Sequence, residues 1–386
     1  MKLPSRLIHN REGAPDRRTV NPPVERASTV LLPDREHLYN AATGYGRMGL
    51  SVHRELEAAM CELEGSEFAH LTPSGLSACA VAIAAFVRSG DEVLLSDSVY
   101  GPTRRFCERR LKSMGVGARR FDPRDTDGLK QMISPKTRLI ALESPGSLTF
   151  EISDTPAITK IAREHDIVTV MDNTWAVGIL HRPLSLGVDV SVQALTKYVV
   201  GHADAFAGAV MTNNPRHARS IESLLEDWGI APGPEEAYAA LRGTRTLSTR
   251  LKAHEASALK IADWLKDQPA VQTLIHPAFS CHPDHELWQR DFSGSSGLFG
   301  FLLDAGNNQE LDAFLGSLEL FKLGFSWGGF ESLIIPCDEQ LTRLSTDWTS
   351  GHDGHLIRLH AGLEDTGDLI ADLSAGFDAL ERAKKA

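Results

Sequence analysis

The sequence predicts an α/β protein with a mostly parallel sheet, followed by a smaller α+β unit. Two observations carry this expectation. From residue 53 onward, short Val/Ile/Leu-rich strands alternate with helical patterns, the signature of a parallel sheet with helical crossovers. Past about residue 245 the texture changes to one long amphipathic helix, three short strands and a closing helix. At 386 residues and 42% hydrophobic, the chain can bury a large core and divide it between domains.

Taken in order, residues 1–52 are rich in Pro, Gly, Arg and Asn with little periodicity, and read as an extended arm that lies on something larger. Residues 53–245 open with two helices, "HRELEAAMCELEG", closed by a glycine, and "SGLSACAVAIAAFVRSGD". Strand candidates follow at "DEVLLSD", "TRLIALES", "DIVTVMD", "DVSVQAL" and "FAGAVMT", separated by helical stretches such as "TPAITKIAREHD". Residues 246–386 run from the helix "STRLKAHEASALKIADWLKDQ" through strands "GLFGFLL", "SLIIP" and "LIRLH" to the helix "DTGDLIADLSAGFDALERAKKA".

A net charge of −11, with both signs interspersed, argues against nucleic acid or an anionic membrane as partner. The five cysteines are odd in number and scattered, as expected of reduced thiols. The N-terminus shows no apolar signal-peptide core, and the longest apolar stretch, around Ala78–Val87, falls short of the roughly 18 residues a membrane helix needs. A soluble, cytoplasmic protein is the expectation.

In a parallel α/β sheet, ligands bind beyond the carboxyl ends of the strands. "IVTVMD" ends in Asp172-Asn173-Thr174, and "VSVQAL" leads into Thr196-Lys197. The first strand candidate leads to Tyr100-Gly101, and the helix after "LTPSGLS" offers the free N–H groups of Gly75 and Leu76. An aspartate, a lysine, a tyrosine and an anion cup thus converge on one crevice. Taken singly, each is weak: a lone lysine is usually solvated, and a strand-end aspartate is often only a turn residue. Together they suit pyridoxal phosphate, which needs a lysine for covalent attachment, a carboxylate for its ring nitrogen and a helix N-terminus for its phosphate.

The chain resembles the Cys/Met-metabolism family of pyridoxal-phosphate enzymes, the group of cystathionine lyases and synthases. The resemblance runs from about residue 19 to the C-terminus through "YGRMG", "CELEG", "SGLSA", "GDEVLLSDSVYGPT", "ESPGS", "VMDNTWAVG", "TKYVVGHAD", "GSSGLF", "SWGGFESL" and "LIRLHAGLED". It implies pyridoxal-phosphate fold type I, the aspartate-aminotransferase-like architecture. Lys197 would be the covalent anchor and the proton-transfer base. Asp172 would hold the ring nitrogen protonated, and Tyr100 would stack on the ring. Gly75, Leu76 and Thr196 would cradle the phosphate. Tyr45 and Arg47 would reach from the arm into a neighbouring subunit's site, Arg47 onto the phosphate, so that a dimer with shared sites, within a tetramer, is implied. Arg358 would grip the substrate α-carboxylate in a bidentate fork.

Within the family, "SWGG" resembles the bacterial β-lyase branch: Phe325 stands where γ-active members carry a glutamate, and Ser326 and Trp327 complete the substrate wall. The implied reaction is β-elimination of L-cystathionine to homocysteine, pyruvate and ammonia, in methionine biosynthesis. The alternatives are another carbon–sulfur lyase of the family, acting on cysteine conjugates or by γ-chemistry, and a non-catalytic regulator with a lyase-like fold. Three departures stand out: Ala194 where serine is common, "ESPGSL" for "ESPSNP" with Ser147 replacing an asparagine, and Leu50 after "YGRMG", for which the sequence offers no reason.

Rival chemistries fit less well. "GVGARR" places Arg120 where a dinucleotide fingerprint needs its third glycine. "CHPDH" offers Cys281, His282 and His285 but no clear fourth metal ligand.

Overall fold

The computed structural model describes residues 1–9, 18–40, 44–343 and 354–385. The larger sheet is built from β1 (Phe68–Thr72), β2 (Glu92–Ser96), β3 (Gly117–Phe121), β4 (Thr137–Glu143), β5 (Val168–Asp172), β6 (Val190–Gln193) and β7 (Gly208–Thr212). Their spatial order is β1-β7-β6-β5-β4-β2-β3. The run β3-β2-β4-β5-β6 is parallel throughout, and β7 lies antiparallel to both β6 and β1.

Alternation along the strands sorts side chains onto two helical layers. Val93, Leu95, Leu139, Ala141, Val170, Val190 and Val192 meet the helix Gly75–Ala84 and the apolar side of Pro215–Trp228. Leu94, Ile140, Leu142 and Met171 face the opposite way, against Ile158 and Ala162 of the helix Thr155–Glu164. The helix Ser51–Glu64 packs on the long helix Pro234–Leu265 and on β1 and β7. This two-sided burial leaves the carboxyl ends of β4, β5 and β6 as the polar edge of the sheet.

The smaller sheet comprises β8 (Val271–Ile275), β9 (Leu298–Leu303), β10 (Lys322–Leu323), β11 (Leu333–Pro336) and β12 (His355–His360), in the order β10-β11-β12-β9-β8. It is antiparallel except for the β10–β11 pair. Its apolar face packs against the helices Asn308–Gly316 and Thr366–Lys384 around Phe299, Phe301, Phe314 and Phe377.

Four strands escape the sequence reading. β3 is an edge strand in which Arg119 and Arg120 interrupt the apolar pattern. β1 and β8 are short, and β10 spans two residues. The arm is not uniformly extended. A helix at Leu3–His9 buries Leu7 against the long helix, and a second short helix covers Arg35–Asn40. The long helix begins at Pro234, so residue 245 falls inside a continuous element. Among the described residues no helix is long and apolar enough to cross a membrane.

Candidate active site

Lys197 sits in the turn that follows β6. Its Nζ donates to Ser326 Oγ at 3.1 Å and lies 5.4 Å from the centre of the Trp327 ring. Burial lowers its pKa to about 8, with the Arg358 guanidinium pushing the same way and Asp172 opposing. The turn is locked from two sides. Arg250, buried on the long helix, donates from Nη1 to Tyr198 O (2.7 Å) and from Nη2 to Val199 O (3.2 Å) and Gly243 O (2.8 Å). Gly328 of "SWGG" holds φ +82°, and a Cβ there would lie 2.8 Å from Tyr198 N and 3.0 Å from Lys197 C. Only glycine lets the two turns touch.

Asp172 ends β5 with a partly buried carboxyl. Its Oδ1 accepts the Thr174 N–H at 3.0 Å and the Thr174 hydroxyl at 2.5 Å, whereas Oδ2 meets only the Cys79 thiol, at 3.5 Å. Burial raises its pKa, and the Thr174 bonds and Lys197 pull it down. Among the described residues it forms no ion pair, so its outer oxygen is a strong acceptor awaiting a cation. Tyr100 caps the short helix Gly101–Arg105 with a half-exposed ring, its pKa raised chiefly by burial.

The helix Gly75–Ala84 starts directly over the end of β6. Ser74 Oγ takes the Ser77 N–H, leaving the first-turn amides of Gly75 and Leu76 beyond the reach of any helical carbonyl. A Cβ on Gly75 would fall 2.3 Å from Ala194 Cβ. The small residue at 194 and the glycine at 75 therefore permit this close seating. The Thr196 hydroxyl is turned onto Ala207, donating to its carbonyl at 3.2 Å and accepting its N–H at 3.1 Å.

Arg358 lies mid-strand on β12, buried, with Nη2 donating to Phe325 O at 3.0 Å and Ser326 O at 3.4 Å. Burial lowers its pKa. The "SWGG" turn is thus tied to both Arg358 and Lys197. Phe325 itself points outward, 78% exposed.

Tyr45 and Arg47 stand apart. Tyr45 precedes the tight turn Gly46–Met48 and Arg47 is its middle residue, 5.8 Å over the Tyr45 ring. Arg47 lines a different cavity, of about 200 Å³, with His53, Arg54, Glu57, Glu222 and Glu226. Leu50 now has an explanation: it is buried just before the helix Ser51–Glu64, and its N–H donates to His53 Nδ1 at 3.1 Å.

Sequence reasoning missed three features. Glu143 ends β4 beside Asp172; a charged residue before "SPG" gives no sign of burial. Glu64 is buried beneath Asn173 and Gln193, accepting the Asn173 amide at 3.0 Å and the Gln193 amide. Burial raises its pKa to about 7. Arg250 reads as one more helical arginine. In "CHPDH", His282 Nδ1 accepts the Asp284 N–H at 3.1 Å and Asp284 pairs with Arg124 at 2.8 Å, both structural duties.

A lysine amine held near neutrality, a buried carboxylate lacking a cation and a helix N-terminus seated on the same strand end fit pyridoxal phosphate. They define an enzyme that activates amino acids through this cofactor. Residues 5–378 match the family described as Cys/Met metabolism PLP-dependent enzyme, and the chain belongs to that family. It is 43% identical over 372 residues to the cystathionine beta-lyase MetC of Escherichia coli (strain K12), covering 93% of each chain. It is 32% identical over 391 residues to the cystathionine gamma-lyase of Bacillus subtilis (strain 168), covering 98% of this chain and 100% of that one. Among solved structures, the cystathionine gamma-lyase from Lactobacillus plantarum complexed with L-serine superposes with a TM-score of 0.90 at 31% identity, over 99% of this chain and 100% of the other. The fold is therefore pyridoxal-phosphate fold type I, and the protein is a pyridoxal-phosphate-dependent carbon–sulfur lyase.

Proposed function

We propose that the enzyme cleaves L-cystathionine by β-elimination, giving homocysteine, pyruvate and ammonia, in the cytoplasm and in the service of methionine biosynthesis. The observation that carries this reading is the wall beside Lys197. Ser326, Trp327 and Gly328 close on the lysine, and the outward-facing Phe325 occupies the chain position where γ-active members of the family carry a glutamate. A site with one poised amine and an aromatic wall suits removal of a single proton from Cα.

Lys197 would anchor the cofactor, Asp172 would face its ring nitrogen, Tyr100 its ring, and Gly75, Leu76 and Thr196 its phosphate. When bound, pyridoxal phosphate supplies an electron sink for charge developing at Cα. Arg358 would hold the substrate α-carboxylate, giving up its bonds to the carbonyls of Phe325 and Ser326. Lys197 Nζ, freed as a neutral amine, would take the Cα proton, with the Ser326 hydroxyl orienting it. The thiolate then leaves from Cβ with the bonding electrons, and water completes the release of pyruvate and ammonia.

Tyr45 and Arg47 would complete the site of the neighbouring subunit, in a dimer that pairs into a tetramer. The division into an arm (1–52), a cofactor domain (53–245) and a C-terminal domain (246–386) belongs to the same proposal.

Product analysis on cofactor-loaded protein tests the reaction. Homocysteine with pyruvate is the expected outcome. Cysteine with 2-oxobutyrate would replace β- by γ-elimination, and turnover only of other cysteine conjugates would move the substrate. No turnover of any of these would favour a non-catalytic role.

A further inference from the structure

The carboxyl of Glu143 takes part in no step above, yet it adjoins Asp172 and Tyr100. Glu143 ends β4 as Asp172 ends β5, and the two are direct register partners on adjacent parallel strands. Their side chains therefore leave the sheet on the same face. Both line a cavity of about 10 Å³ together with Cys79 and Thr103. Glu143 Oε2 also accepts the backbone N–H of Tyr100 at 2.5 Å. One side chain thus adjoins the carboxylate read as the ring-nitrogen partner and holds the backbone of the residue read as the stacking ring.

Two partly buried carboxylates side by side do not both ionise cheaply. The surroundings decide which one holds the charge. Asp172 receives two hydrogen bonds from Thr174 and the attraction of Lys197. Facing Glu143 are Asp172 from β5, the Cys79 thiol from the helix Gly75–Ala84, the Tyr100 amide and phenol from the turn after β2, the Ser147 hydroxyl and the Arg343 guanidinium. Arg343 Nη2 is engaged elsewhere, donating to Ser147 O at 2.7 Å and to Thr149 Oγ1 at 2.6 Å.

We infer that Glu143 is a positioning residue that works as a neutral carboxyl: it fixes Tyr100 through the backbone and leaves Asp172 as the single anion beneath the cofactor ring. Burial first and Asp172 second push the Glu143 pKa well above the carboxylate range, in the same direction. The inference rests on the reading that Asp172 and Tyr100 face the cofactor.

The test compares Glu143→Gln with Glu143→Ala by titrating apo-protein with pyridoxal phosphate, then following the absorption of the bound cofactor against pH. Glutamine keeps the acceptor for Tyr100 and the neutral charge. E143Q should bind the cofactor within about twofold of wild type, with the same pH midpoint; E143A should bind about tenfold more weakly, having lost a buried acceptor. Matching losses in E143Q and E143A, or a pH midpoint displaced in E143Q by about one unit, would mean that the native group carries charge, and would overturn the inference. Unchanged binding in both variants would remove the positioning role. If E143A fails to fold by circular dichroism, the E143Q midpoint decides alone. Failure of the wild-type protein to bind the cofactor would instead count against the site reading.

Discussion

At the scale of single residues, the chemistry depends on one amine being neutral near physiological pH. A free lysine keeps its proton to about pH 10.4, whereas burial and Arg358 bring Lys197 down to about 8. The sign follows directly: lowering the pKa of a base enlarges its neutral, nucleophilic fraction at any pH below the ordinary value. The rate at which apo-protein reacts with pyridoxal phosphate should therefore rise with pH and level off with a midpoint near 8. Stopped-flow absorbance reads this, and a midpoint near that of free lysine would refute the depression. Since the unfolded lysine holds its proton longer, stability should also rise with pH across the interval between the two values. Lys197→Arg cannot rescue the reaction, because a guanidinium neither links to the aldehyde nor releases its proton.

At the scale of elements, the Lys197 turn depends on a helical arginine more than fifty residues further along the chain. Arg250 bridges the carbonyls of Tyr198 and Val199 in the turn to the Gly243 carbonyl of its own helix, in a buried place. Arg250→Ala should cost about 2–5 kcal/mol, because buried acceptors lose a charged donor. Thermal denaturation reads the loss, and cofactor affinity should fall with it as the turn loosens. Arg250→Lys, with a single point donor, should recover only part. A melt of Arg250→Ala within a degree of wild type would show that the clamp is dispensable. This clamp also marks where the sequence stops being informative. The strands β2, β4, β5, β6, β7, β9, β11 and β12 are legible because apolar runs and alternation are local signals. The residues at their carboxyl ends, Asp172 and Lys197 among them, follow from that reading. Arg250, Glu143 and Glu64 are invisible beforehand, since their meaning lies in which distant carbonyl or carboxyl they meet. The edge strand β3 fails for the opposite reason: Arg119 pairs with Glu92 at 2.8 Å, and Arg120 with Asp97 at 3.0 Å, so charges sit where a strand pattern expects apolar side chains.

At the scale of the whole molecule, Arg47 lies over its own Tyr45 ring and lines a cavity with His53, Arg54, Glu57, Glu222 and Glu226 in which Lys197 has no part. The Gly46 N–H is bonded to Ser28 O at 2.8 Å, and a Cβ on Gly46 would collide with Ala27 O, so the turn is fixed against its own arm. Tyr45 is 46% exposed. If the pair serves a neighbouring subunit, each complete site draws on two chains, and two defective parents can repair each other. Lys197→Ala and Arg47→Ala homodimers should each be inactive or nearly so. In a heterodimer, one site pairs the intact Lys197 of one chain with the intact Arg47 of the other, while the second site carries both defects. Random assembly at equal amounts makes half of the dimers mixed, so about a quarter of all sites should work. If each chain instead completed its own site, every site in the mixture would carry a defect and activity would stay at the parental level. Co-expression with two affinity tags, followed by assay of doubly purified dimers, separates the cases. For the isolated heterodimer, the shared-site arrangement demands about half of wild-type activity.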